Sequence, residues 1–434
     1  MQESLIYYLW SLQYFDKKDL RTTQDEQVEI FHPGTLNTDS GPDFSNARLR
    51  IGSMSWVGNV EIHTESSAWL DHKHETDPAY DTVILHVVWH DDKPISRRDG
   101  TLLPTIELRG RVSDDLIRNY RQLISSSFSI PCQRSFPDVE PVVKLDMVEK
   151  ALVQRLERKA AEVQTLLELN GNSWVETTWQ LIARAFGFKI NADPCFQLAK
   201  SIPLKLLHKQ NQQMQTEALL FGQAGFLEAS KGDEYYKKLQ KEYQLLSHKY
   251  STAEERMSKS QWRFLRLRPS NFPSLRLAQL TALVHQRRTL FSGLLDSGSV
   301  NELVSFFSVT LSPYWNEHYQ FTKKSGSRGH ELGRGSIEVI IVNTVIPLLA
   351  AYAKHADDSV YMERALALLE QLPAEENSIT RTWADLGMKP GNSFEAQGLI
   401  ELFNTFCQRK NCLNCAIGTT VIRPPDHEPR TSVS

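Results

Sequence analysis

Residues 41–89, GPDFSNARLRIGSMSWVGNVEIHTESSAWLDHKHETDPAYDTVILHVVW, constrain the fold of this chain more than any other stretch. Ala47, Leu49 and Ile51 alternate with Arg48 and Arg50, Gly52-Ser53 offers a two-residue turn, and residues 55–63 return, so the pattern predicts a β-hairpin. Side chains alternate across a strand, which puts Val60 and Ile62 on one face and Glu61 beside His63 on the other. Residues 66–70 predict a short helix and DHKHETDP a polar turn. Residues 83–89 are apolar on both faces apart from His86, as a strand covered on both sides requires. With Asp43, Glu61 and four histidines among these strands, chemistry is expected here rather than packing alone.

The flanking sequence extends this pattern. Residues 2–15 and 114–124 have helical period, and residues 27–31 and 105–108 read as further strands. The Ser- and Pro-rich passage at 125–141 reads as a linker or domain edge. Beyond it nearly everything is helical: 142–169, 173–186, 214–228, 234–249, 274–293, 336–354, 359–371 and 393–407. The expectation is an α+β domain over 1–130, a mixed sheet with flanking helices, then a large all-α domain over 142–422 and a disordered tail at 423–434.

Charge and cysteine usage narrow the function classes. Lys+Arg number 49 against 52 Asp+Glu, a net charge of −3, which excludes a uniformly basic nucleic-acid coat but leaves room for a local basic groove. Five cysteines in 434 residues are too few for a disulfide framework, and with a first segment lacking a basic n-region they imply a cytoplasmic protein. The apolar run 339–353 is shorter than a membrane span and is interrupted by Asn343 and Pro347, so it predicts a buried helix and no membrane partner.

A phosphodiester hydrolase needs a hard cation to hold and polarise phosphate and to activate water, and carboxylate and carbonyl oxygens bind such ions. Asp43 at the hairpin edge, Glu61 and the Ile62 carbonyl offer them for Mg²⁺ or Mn²⁺, with His63 beside the attacking water. The order helix, strand, Pro42-Asp43, hairpin, Glu61-Ile62-His63, helix, apolar strand resembles the PD-(D/E)XK nuclease fold. The resemblance implies catalytic Asp43, Glu61 and His63, metal held by Asp43 and Glu61, Glu3 as a third acid, and DNA or RNA as partner. It departs at His63, where the family has a permanently charged lysine. Three readings follow: a nuclease or nuclease-derived nucleic-acid-binding protein; a non-catalytic scaffold that keeps the fold, with Asp43 a turn cap and Glu61 a solvated residue; or a histidine-rich metal hydrolase. In the last, His63, His72, His74, Asp77 and His86 gather around Zn²⁺ or Mn²⁺. An i, i+2 pair such as His72 and His74 on a polar turn is more often exposed than ligating.

Two further clusters stand outside this stretch. Cys407, Cys412 and Cys415 form C-x4-C-x2-C, which suits zinc or an iron–sulfur cluster with Cys132 or Cys195 as fourth ligand; buried structural cysteines are the alternative. Arg263, Arg266, Arg268 and Arg276 interleave with Trp262, Phe264 and Phe272, a nucleic-acid-contacting pattern that also suits arginine stems covering a core. GPDF, VEIHTESSAW, VILHVVW, EALLFGQAGFL, RLRPSNFPSLR, YWNEHY and CLNCAIG together resemble a bacterial family of unknown function, domain-of-unknown-function family 2851, from about Glu3 to Gly418. That family brings no activity with it.

Overall fold

The computed structural model describes residues 1–325 and 330–423, so the tail expected at 423–434 lies, apart from Arg423, outside the described residues. The chain divides into two compact units, Met1–Met147 with Leu402–Ser434, and Val148–Glu401.

The first unit is mixed α/β. After α1 (Glu3–Leu12) come β1 (Val28–His32), β2 (Thr35–Leu36), β3 (Phe44–Ile51) and β4 (Met54–Glu65). The short α2 (Ala68–Asp71) and two single turns lead to β5 (Val83–His90), β6 (Thr105–Glu107) and α3 (Asp114–Ser125). The strands form one sheet in the order β1-β3-β4-β5-β6, with β2 beside β3. β1 and β4 both run antiparallel to β3, and a tight turn joins β3 to β4; Ile51 pairs with Met54 across Gly52-Ser53, where Gly52 takes φ +59. β5 and β6 run parallel to β4, which requires the crossover at 66–82.

That crossover lets β4 and β5 be covered on both faces. Val60 and Ile62 are buried, and so are Glu61, His63 and His86. At Gly58 a Cβ would stand 2.4 Å from Ile84 Cγ2 and 2.8 Å from Thr82 O, so glycine lets the start of β5 pass close to β4. The passage at 125–141, expected as a linker, is a run of tight turns burying Ile130, Cys132, Phe136 and Val139. Its apolar residues have a core to join, and this outweighs its Ser and Pro content.

The second unit is helical around a core that includes Trp179, Phe186, Phe221, Phe307 and Trp315. The single helix expected at 274–293 is two, Pro273–Gln286 and Leu290–Asp296. Arg287 between them is extended and donates to the carbonyls of Ser305, Phe306 and Ser308, a tertiary contact that overrides local helical period. The helix expected at 214–228 ends at Gln223, where Gly225 (φ +77) leaves no room for a Cβ against Met257 O. Arg334–Ala356 is long and apolar enough to cross a membrane, and 67% of its most apolar window is buried within the protein.

Candidate metal centre

Period-two alternation sets Glu61 and His63 on one face of β4, and parallel register pairs Glu61 with His86 on β5, on that same face. Asp43 immediately precedes β3, whose Phe44 pairs with Val60. Its backbone N–H donates to Glu61 Oε2 at 3.0 Å, and its own Oδ2 accepts from the Ile62 N–H at 2.9 Å. α1 supplies Tyr7, whose hydroxyl donates to Asp43 Oδ1 at 2.7 Å. Glu3, one helical turn before Tyr7, is within electrostatic reach of both Asp43 and Glu61. Three carboxylates thus crowd one edge of the sheet.

Imidazoles complete the cluster. The ligand atoms of His63, His72 and His74 all lie within 4.8 Å of one another. Glu61 Oε1 stands 3.3 Å from His74 Nε2 and 3.8 Å from His63 Nε2. The His74 contact lies off the hydrogen-bond direction, so Nε2 is buried without a hydrogen-bond partner. His72 and His74 turn to the same centre because Lys73 between them is left-handed (φ +61), a strained conformation for a residue with a side chain. Tyr80 stacks on His74 at 3.7 Å between ring centroids and Trp69 meets the same ring edge-on, fixing its orientation.

His86 does not join the ligand group. Its Nε2 lies 2.8 Å from His63 Nδ1, while His63 Nε2 lies 3.1 Å from His72 Nδ1. If His63 Nδ1–H donates to His86, the His63 Nε2 lone pair turns toward the cluster, an outer hydrogen bond that selects the ligating tautomer. Asp77 is outside that ligand group although within electrostatic reach of His74; its carboxylate accepts from the Ala79 N–H and caps a turn.

Burial opposes charge throughout. It pushes the Glu61 carboxyl up to about 9, with further repulsion from Asp43 and Glu3, and raises Asp43 as well. His63, His74 and His86 are all lowered, first by burial and then by neighbouring imidazoles. Carboxylates forced toward neutrality beside imidazoles that resist protonation form a donor set suited to a divalent cation. Glu61 with His63, His72 and His74 could hold it, Asp43 flanks it, and the exposed His72 leaves one side open to solvent.

The cysteines also converge. Cys132, Cys407, Cys412 and Cys415 are buried, and each of the six pairs among them lies within electrostatic reach. Cys132 is the fourth member; Cys195 is buried in the helical core of the second unit. Cys407 ends a π-helical turn (Leu402–Cys407), and the Cys412–Asn414 turn packs so closely on Ala416–Ile422 that a Cβ at Gly418 would sit 2.3 Å from Cys412 O. Of the four arginines, Arg263, Arg266 and Arg268 are exposed, whereas Arg276 is buried. Trp262 is buried and Phe264 packs on Phe226 and Phe272, so these aromatics serve the fold.

The fold and site define a mixed-sheet α/β protein with a helical unit and a histidine–carboxylate cluster at its hairpin. The family model described as "Protein of unknown function (DUF2851)" matches residues 3–378, and the chain belongs to that family. No curated protein and no solved structure matches it.

Tyr7 and Tyr80 are not singled out by the sequence pattern. The i, i+4 spacing from Glu3 to Tyr7 is the one signal that marks Tyr7. The crowding of buried acids carries a measurable cost without an ion. Glu61→Gln should raise the melting point in the presence of a chelator, by roughly 1–4 kcal/mol of stability. With excess Mn²⁺ or Zn²⁺ the order should invert. A variant less stable than wild type in chelator would show that the carboxylate is a structural partner rather than a site group.

Proposed function

We propose that this protein is a metal-dependent phosphodiester hydrolase acting on DNA or RNA, its ion held by Glu61, His63, His72 and His74 with Asp43 beside it. The observation that carries the reading is the convergence of three imidazole nitrogens within 4.8 Å of one another, 3.3 Å from a buried carboxylate at His74. A nitrogen-rich set favours Zn²⁺ or Mn²⁺ over Mg²⁺, which takes oxygen ligands. The bound ion would polarise a phosphoryl oxygen and lower the pKa of its water. The sheet is in keeping with this reading: β1 and β4 flank β3 antiparallel, and β5 follows a crossover parallel to β4, the element order that the sequence resemblance implies.

In this reading His63 is a ligand and not a substitute lysine. It is enclosed and tied through Nδ1 to His86, so it has no free path to a substrate proton. Tyr7 orients Asp43, and Tyr80 and Trp69 hold His74. Substrate enters past His72. Arg263, Arg266 and Arg268 are the exposed groups proposed to contact nucleic-acid phosphates; Arg276 is not among them. The test is cleavage of single- and double-stranded DNA and RNA with Mn²⁺, Zn²⁺ or Mg²⁺, beside Asp43→Ala, Glu61→Ala and His72→Ala. Cleavage should depend on Mn²⁺ or Zn²⁺ and fall by more than about 100-fold in Glu61→Ala. Activity that survives both acid substitutions would sink the proposal.

The second cofactor in this reading is a metal centre ligated by Cys132, Cys407, Cys412 and Cys415. The C-x4-C-x2-C spacing of Cys407, Cys412 and Cys415 is one that iron–sulfur proteins use, so an iron–sulfur cluster is preferred here to a single zinc. Protein purified without oxygen should carry iron and sulfide and show a broad visible absorbance that bleaches on reduction. Cys132→Ser should lose both. Protein that is stable, colourless and free of bound iron or zinc would remove the centre.

A further inference from the structure

A buried charge without a counter-charge needs an explanation, because an isolated ion in a protein interior costs several kcal/mol unless something answers it. Arg276, on the helix Pro273–Gln286, is such a charge, with 5% of its surface exposed. Its Nη1 donates to Gln279 Oε1 at 2.9 Å, and its Nη2 to Asn271 Oδ1 at 2.5 Å and Ser336 Oγ at 3.3 Å. All three acceptors are neutral. The guanidinium lies over the Phe188 ring at 4.4 Å, and among the described residues its Nε has no hydrogen-bond partner. Burial alone lowers its pKa, to about 10, with no neighbouring acid acting in the other direction.

Arg276 lines a cavity of about 240 Å³ together with Ser270, Asn271, His330 and Ser336. Among the described residues of the lining Glu331 is the one acid, and it is exposed. His330 is buried; its Nδ1 lies 2.6 Å from Trp315 O, which requires the proton on Nδ1, and its Nε2 has no partner. Gln279 Nε2 donates to His330 O at 2.7 Å, so the oxygen of the same amide faces Arg276. The cavity lining therefore brings together a buried planar cation that no acid among the described residues answers, an imidazole, two hydroxyls and an amide.

We propose that this cavity is an oxyanion site that takes a phosphate group, either free or carried on a nucleotide. The guanidinium and the Ser270, Ser336 and Asn271 groups would donate to phosphate oxygens, and His330 would offer its Nε2 to a hydrogenphosphate hydroxyl once the ring shifts to open that atom to the cavity. The site lies wholly in the helical unit and does not depend on the metal centre.

The test is calorimetric titration of the full chain with inorganic phosphate and, separately, with a nucleoside 5′-monophosphate, in a buffer free of sulfate and phosphate. Wild type should bind at least one of them saturably. Tighter binding of the nucleotide identifies the carried group, and equal or tighter binding of phosphate identifies the free ion. Arg276→Gln should lose the binding. Because that variant can fail to fold, His330→Phe and Arg276→Lys are measured beside it, each checked by circular dichroism and each expected to weaken binding about 10-fold or more, one charge-assisted hydrogen bond's worth. Absence of saturable binding of both probes to wild type would overturn the proposal. So would folded His330→Phe and Arg276→Lys variants that bind as wild type does.

Discussion

Burying carboxyls and imidazoles together is costly, because each resists its charged form away from water, and the first unit of this protein encloses such a cluster on its central strands. Glu61 sits against Asp43 and below His74, on strands covered on both faces. The neighbouring structure holds it there: Tyr7 fixes Asp43, His86 fixes His63, and Tyr80 with Trp69 fixes His74. A purely structural sheet would fill these positions with valine and isoleucine, as β5 does along most of its length. Polar groups kept at such cost, and oriented by partners of their own, are what a preorganised ion site requires.

The hairpin was legible because its signals are local. Alternation through Ala47, Leu49 and Ile51, the Gly52-Ser53 turn and the apolar run at 83–89 each depend on a few adjacent residues, and the strands lie close to where the pattern put them. Glu61 and His63 sharing a face followed from the same period. His72 and His74 were less legible. An i, i+2 pair faces one centre here with Lys73 left-handed between them, a conformation that the residue type at 73 does not announce. Arg276 was misplaced for a related reason: spacing among aromatics shows that arginines cluster but not which of them point inward.

Distance in sequence limited the rest. The chain leaves the first unit at Met147 and returns at Leu402, bringing Cys407, Cys412 and Cys415 to Cys132. Choosing between Cys132 and Cys195 depended on that return, which no local pattern encodes. A shared metal would cross-link two segments separated by the whole helical unit, and closing so long a loop restricts the unfolded chain strongly. The break at Arg287 is a second case of tertiary contact overriding local period, since it serves carbonyls about twenty residues on.

The histidines and Glu61 are proposed to bind a divalent ion together. X-ray absorption at the manganese K-edge, on protein loaded with one equivalent of Mn²⁺, reads the ligands directly, because manganese avoids thiolates and so reports this site alone. The expected result is a nitrogen and oxygen shell with the outer-shell scattering of two or more imidazoles, lost in a His72→Ala, His74→Ala double variant. An all-oxygen shell without imidazole scattering, unchanged by that double variant, would contradict it.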